Sequence, residues 1–397
     1  MSFLLIEGET HSTELQPKID LRSQHAWVAA QFTHFYESAG YTIVPDAGIL
    51  PENDPSVVFT GATITPLKQY VETGIPSPGF CMVQKCLRVK DVKKITDVSV
   101  IPEWTNYFTM CGILSAPGRL QELSAEAFDL LTKAYAITTD RLIVNASSED
   151  RDMSAFWKDK GVTVIEDDAS VQYRWKYGMK GIRGRGITFQ LRNEHLGVYR
   201  ELGNIVSVET ETGEVRGYEF GFGLESMLST QLGFKKPVEA SLVSAVIPYQ
   251  EGLYEKVSNA LVTSTVLLHH GIEPSRGREN HILKQLVKGL SFLRRKTGIS
   301  IEELVTASNA YEAIEFHDAT QTGNRLAEAI YQYEADILRL WEYGSNQLHA
   351  RLLRGEVNEN LWQKIRVQGQ RTGVNSQDIE HVISVIQSGS KPEITFV

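Results

Sequence analysis

The chain has 397 residues, 42% hydrophobic and 22% charged, with a formal net charge of −9: a globular composition, long enough for an α/β core and a further domain. No apolar run reaches the ~18 residues of a membrane span, the first residues lack a basic-then-apolar leader, and Cys81, Cys86 and Cys111 show no C-x-x-C spacing, so no membrane partner, leader or disulfide framework is expected and the thiols read as core residues of a cytoplasmic protein. The acidic balance disfavours broad non-specific nucleic-acid binding, while leaving room for a local basic patch.

In chain order, residues 1–20 read as a loose arm. Leu21–Gly40 is an amphipathic helix with Trp27, Ala30, Phe32, Phe35 and Tyr36 at helical spacing and Gly40 as its stop. Tyr41–Val44 is a strand. Asn53-Asp54-Pro55 is turn chemistry leading into a short buried strand, Ser56–Phe59. Pro66–Gly74 is a short helix, and Phe80–Val89 a strand carrying Lys85 and Arg88 near its end. An arginine delivered there can hold a phosphate or carboxylate by its planar fork, or lie on the surface. The loop after it holds Lys90, Lys93 and Lys94 and reads either as a lid over a polyanion or as a solvated charge run.

Leu120–Ile137 is a helix with Leu123, Ala127, Leu130, Leu131 and Tyr135 on one face. Strands follow at Arg141–Ala146 and Val162–Ile165, with Ser147 or Ser148 as helix cap between them. Residues 173–189 set Lys180, Arg183 and Arg185 among Gly178, Gly181 and Gly184. That pattern suits an anion site, since glycines let backbone approach, or equally a basic surface turn. Tyr218–Ser226 carries Gly221 and Gly223 after a strand and opens a helix. From about Pro237 the chain is almost all helix, and Arg276, Arg278, Lys284, Lys288, Arg294, Arg295 and Lys296 form its densest basic cluster. The cluster suits phosphates or a solvated helix face. His269-His270 is an adjacent pair rather than a metal constellation.

Three stretches in this order, LPENDPSVVFTGATI, QKCLR and YFTMCGILS, resemble the start of the catalytic core of alanyl-tRNA synthetase, a class II aminoacyl-tRNA synthetase. Residues 173–189, Leu202–Val206, Tyr218–Ser226 and the stretch from Pro274 to Lys284 resemble further segments of the same family. The resemblance implies an α+β fold, a mostly antiparallel class II sheet flanked by helices and followed by an all-helical domain. It implies a catalytic domain over 21–235 and, over 236–397, a helical domain of the kind that contacts the tRNA acceptor stem. Arg88 takes the place of the arginine that binds the α-phosphate of ATP and the amino-acid carboxylate. Trp175, Asn204 and Val206 take places in the amino-acid pocket, with Gly221 and Gly223 beside it. Glu219 stands for the acid that pairs with the substrate ammonium.

The chain also departs from the family. Pro102-Glu103-Trp104 replaces an Arg-His-His stretch, Thr188 replaces a glutamate that helps hold ATP and Mg²⁺, and Ser226 replaces the arginine that stacks on adenine. Lys180, Arg183 and Arg185 appear instead, and are expected to hold phosphate in part of the role of the metal. No counterpart of the zinc-bearing editing domain is seen, so no zinc is expected. The leading reading is a ligase that activates a small amino acid, alanine by default, with ATP and transfers it to tRNA or another acceptor. An ATP-independent transferase taking aminoacyl-tRNA, and a non-catalytic paralogue binding tRNA or an amino acid, remain open.

Overall fold

A computed structural model of the chain describes residues 20–51, 54–90, 92–168, 170–247, 250–317 and 320–392. The arm expected over 1–20 lies outside them except for Asp20, which caps the first helix, α1 (Leu21–Ser38), by accepting from the Arg22 and Ser23 N–H groups. Gly40, at φ +87°, turns the chain out of it. The buried face of α1 is His25, Val28, Phe32 and Tyr36 rather than the one centred on Trp27. Trp27 is 42% exposed and Ala30 is exposed. The Val28–Phe32–Tyr36 spacing of four keeps one face on the sheet, and Trp27 lies beside it, edge-on to Tyr135.

The sheet is built from β1 (Thr42–Val44), β2 (Gly79–Leu87), β3 (Tyr107–Ser115), β4 (Leu142–Ser147), β5 (Thr163–Asp167), β6 (Arg174–Lys176), β7 (Ile182–Asn193), β8 (Val198–Thr210) and β9 (Val215–Gly223). Its order is β1-β2-β3-β9-β8-β7-β4-β5, with β6 paired to β7. The β1–β2 and β4–β5 pairs are parallel and the others antiparallel. Helices α2 (Lys68–Thr73), α3 (Leu120–Asp129) and α4 (Arg151–Asp159) lie between strands in sequence, and α5 (Leu224–Gln231) follows β9. The α3 helix runs on as a wider turn over Leu130–Ala134, and all five residues expected on its inner face are buried. The expected caps of α4 are displaced: Asp150 holds the N-cap position, and the Ser148 hydroxyl donates to Asp168.

Ser56–Phe59 is not a strand. Thr60 beyond it donates to the Ile49 carbonyl and accepts from the Leu87 N–H. The apolar run therefore packs as an irregular wall next to β2, and Phe59 is buried there.

Strand alternation gives the sheet two unlike faces. Cys111, Ile113, Ile187, Phe189, Ile205, Tyr218, Phe220 and Phe222 join Phe32, Leu123 and Trp157 in one core under the helices. The opposite face is only partly covered, by Ile64, Leu67, Val71, Leu114, Tyr177, Val206 and Val208. The uncovered part of that face is the candidate site.

The rest of the chain is helical: α6 (Pro237–Ala240), α7 (Leu253–His269), α8 (Arg278–Thr297), α9 (Ile301–Phe316), α10 (Thr322–Leu352), α11 (Glu359–Thr372) and α12 (Ser376–Ser388). Their core is continuous with Ile49, Phe59, Leu87, Ile95 and Tyr107 of the sheet half. Polar ties cross the same boundary. Glu315 of α9 receives the Lys85 ammonium at 2.5 Å and the Tyr107 hydroxyl at 2.8 Å. Among the described residues, no helix is long and apolar enough to cross a membrane.

Candidate active site

A cleft of about 780 Å³ opens over the second sheet face, within the size range of small-molecule sites. Arg88, Trp175, Asn204, Val206, Glu219, Gly221 and Gly223 all line it. They converge from β2, β6, β8 and β9 because odd-numbered β9 residues and even-numbered β8 residues share that face.

Arg88 sits just past the end of β2. Its Nε donates to the Gly61 carbonyl at 2.6 Å, and its guanidinium carbon lies 5.0 Å from the Phe108 ring centre. Among the described residues no carboxylate forms an ion pair with it, so its remaining N–H groups are available to an anion.

Glu219 is deeply set in the cleft, 7% exposed. Its Oε2 accepts from the Tyr177 hydroxyl at 3.2 Å, while its Oε1 is buried with no hydrogen-bond partner among the described residues. Burial pushes its carboxyl up to about 7, and the Tyr177 hydroxyl, the Arg88 charge and the Ile64 N–H act against that rise. An unpartnered oxygen in such a place is an acceptor waiting for a donor.

Thr188 faces Asn204 across β7 and β8 and donates its hydroxyl to the Asn204 Oδ1 at 2.7 Å. That bond assigns Oδ1 as the acceptor and leaves the Asn204 amide N–H groups as the donors. Glu225 also lines the cleft, but both its oxygens accept from the Thr109 N–H. With Thr188 uncharged and Glu225 engaged, these side chains fit an anion at Arg88 and an ammonium at Glu219. Glu103 and Glu201 also line the cleft, and among the described residues no group of three or more His, Cys, Asp or Glu gathers.

The basic residues expected to hold phosphate are placed elsewhere. Lys180 and Arg183 are exposed and do not line the cleft. Arg185 bonds Asp152 at 2.8 Å and Glu209 at 2.7 Å on the helix-covered face. The physical reason is the two-residue period of β7: Gly184, Gly186 and Thr188 face one way, Arg183 and Arg185 the other. The cations that line the cleft with Arg88 are Lys68, Lys90 and Lys176, and Lys68 is tied to Asp54 at 2.6 Å.

The basic cluster of the helical half also divides. Arg276, Arg278 and Lys284 are exposed, and Arg278 donates to the Pro55 carbonyl at 3.2 Å, beside the cleft. Lys288 is buried against the Tyr333 ring, and burial together with Lys284 lowers its pKa. Arg294 and Arg295 are committed to Glu334 and Asp378. Helix periodicity turns these last three inward, so they are interior ties rather than phosphate readers.

The loop after Arg88 is fastened rather than loose. The buried Lys256 ammonium of α7 donates to the carbonyls of Lys94, Asp97 and Val100 at 2.9, 2.6 and 2.9 Å. Asn259 bonds the Asn106 N–H and the Trp104 carbonyl. Lys256→Met is expected to cost about 1–3 kcal/mol, the scale of charge-assisted hydrogen bonds lost in a buried site. Limited proteolysis should then cut within 92–106 of the variant well before the native chain, and equal cutting would refute the tether.

Tyr177, Lys176, Lys256 and Asn259 are the residues that sequence reasoning missed. Tyr177 lies inside a recognised stretch, but one aromatic at a turn carries no signal of whose carboxylate it will meet. Lys256 and Asn259 act from a helix some 150 positions away from the loop they hold.

A family model described as tRNA synthetases class II (A) matches residues 28–190. The alanine–tRNA ligase of Streptomyces avermitilis is 23% identical over 379 residues, covering 82% of this chain and 42% of that protein. That of Thermobifida fusca is 25% identical over 316 residues, covering 66% and 35%. The chain thus spans well under half the length of the curated relatives it matches. Among solved structures, apo histidyl-tRNA synthetase of S. aureus aligns with a TM-score of 0.37 at 11% identity, covering 58% of this chain and 74% of that one. The matched region runs from α1 to β7 and the alanine ligases align along most of the chain, which is thus similar to the class II tRNA synthetases of the alanine–tRNA ligase type.

Proposed function

We propose that the chain is an aminoacyl ligase that holds a small α-amino acid, alanine by default, by both of its charged ends and activates it with ATP. One observation carries the reading: Glu219, whose Oε1 has no hydrogen-bond partner among the described residues, and Arg88, which forms no ion pair among them, line the same cleft. An amino acid needs an acceptor for its ammonium and a fork for its carboxylate, and these supply both. Asn204 offers a further donor, and Trp175 and Val206 set the apolar wall. Arg88 would then neutralise charge as the carboxylate attacks the α-phosphate, with Lys90 and Lys176 as the cations for the rest of the nucleotide. The acceptor is proposed to be a tRNA end passing Arg276, Arg278 and Lys284, since Arg278 already touches the cleft wall at Pro55.

Amino-acid-dependent ATP–pyrophosphate exchange tests this. Exchange is expected with one small amino acid, L-alanine first. A second reading, transfer of a ready-made aminoacyl group without ATP, is favoured by one observation: Lys180, Arg183 and Arg185 do not reach the cleft. Binding of L-alanine without exchange would select it over the first.

A further inference from the structure

We propose that Tyr177 is a positioning residue of the amino-acid site, holding Glu219 so that a single carboxylate oxygen is offered to the ligand's ammonium. The inference rests on the amino-acid reading above and adds a residue to it. The Tyr177 hydroxyl donates to Oε2 at 3.2 Å, which leaves Oε1 as the oxygen without a partner. A carboxylate with two free oxygens would rotate between them and accept in several directions. One anchored oxygen fixes the plane and the direction of the other.

The ring cannot easily leave this post. Tyr177 is 8% exposed and packs with Ile64, Leu114, Val206 and Val208. Gly184 makes room for it: a Cβ there would lie 3.0 Å from the Tyr177 Cε2 and 2.7 Å from the Val206 Cγ1. A side chain at 184 would therefore displace the ring that aims Glu219. The glycine of the β7 stretch thus serves the tyrosine rather than a phosphate.

The same bond bears on charge. The phenol donates to the ionised carboxylate, so it favours the form that an ammonium needs. The other groups facing Glu219 are few. Arg88 comes from the end of β2 and favours the charged form, and the Cys86 thiol of β2 is itself held up by burial and by the carboxylate. The Ile64 N–H approaches from the wall before α2, while Leu114 of β3 and Val206 of β8, its sheet neighbours, are apolar. Lys90, Lys176, Glu103 and Glu201 also line the cleft, while Lys68 is bound to Asp54 and Glu225 to the Thr109 N–H. Among the described residues Tyr177 is thus the side-chain hydrogen-bond donor to Glu219.

The test is calorimetric titration of the full chain with L-alanine from about pH 5.5 to about pH 8.5, with propionate as a probe lacking the ammonium. Native protein is expected to bind L-alanine more tightly as the carboxyl ionises, and propionate without that rise. Y177F is expected to bind L-alanine about tenfold more weakly near neutrality, the scale of one hydrogen bond to a charged group. It should recover toward alkaline pH as the unassisted carboxyl finally ionises. Glu219→Asp keeps the ring in place and withdraws the carboxylate from it, so it should move the profile the same way even if Y177F folds poorly. A loss equal at every pH, or superimposable native and Y177F profiles, would overturn the role of Tyr177 alone. No L-alanine binding to the native chain, or native binding by Glu219→Gln, would overturn the amino-acid reading beneath it.

Discussion

Arg88→Ala is expected to lower amino-acid-dependent pyrophosphate exchange by about 10²–10³-fold, the cost of removing one preorganised charge from a transition state. The folded state should hardly notice. Arg88 is exposed, lies beyond the last residue of β2, and is held by one bond to the Gly61 carbonyl and by the Phe108 ring. Losing those contacts costs about 0.5 kcal/mol, the ordinary scale for a surface substitution. Arg88→Lys should fall between, because it keeps the charge and loses the fork. Part of the alanine variant's loss has a second origin. The Arg88 charge also helps Glu219 ionise. Raising the pH should therefore restore the share of the loss that comes from weakened ammonium binding and leave the share that comes from the phosphate. Unchanged exchange at any pH would remove Arg88 from the site.

Much of the fold is legible in the sequence where one physical signal dominates. YFTMCGILS, Tyr107–Ser115, which resembles a strand of the family, is β3 with the same boundaries. The α3 face is legible because five apolar residues repeat at helical spacing. Ser56–Phe59 is misleading because a β-branched run states only that a segment wants burial, not that it has a partner strand. It is buried by packing on the chain around Ile49 and Leu87 instead.

The site divides the same way. Cleft residues on β8 and β9 could be placed by alternation once Tyr218, Phe220 and Phe222 were recognised as core, since Glu219, Gly221 and Gly223 then face the other side. The same rule, applied to β7, puts Arg183 and Arg185 on the face of Ile187 and Phe189. Counting charge density instead of strand phase sends them wrongly to the phosphate. Asp152 at the start of α4 and Glu209 of β8, which receive Arg185, are neighbours that only the folded sheet supplies. Thr188 reads as a lost acid by comparison with a family, and in the fold it is the group that orients Asn204.

Glu219→Gln is expected to stabilise the protein at alkaline pH and to leave it unchanged in acid. The native carboxyl is raised from 4.5 to about 7, first of all by burial. Below the unfolded value both states are protonated and the group is neutral to stability. Between the two values the unfolded chain loses its proton while the native one keeps it, so stability falls as pH rises. Above about pH 7 the full penalty of the buried charge is present, about 3 kcal/mol at 1.36 kcal/mol for each pH unit. Glutamine removes the charge and still accepts from the Tyr177 hydroxyl, so the packing that holds the ring survives. Urea midpoints of native and variant protein should coincide near pH 4.5 and separate near pH 8, with the variant higher. A constant difference at both pH values would show that Glu219 is not a buried charge in the folded chain. The penalty is also the reason to expect a ligand here. A buried carboxylate with one oxygen unpartnered destabilises the empty protein above neutrality, and an ammonium that pairs with it relieves that cost. L-Alanine should therefore raise the native midpoint most at alkaline pH, where the empty site is least stable, and should leave the Glu219→Gln midpoint where it stands.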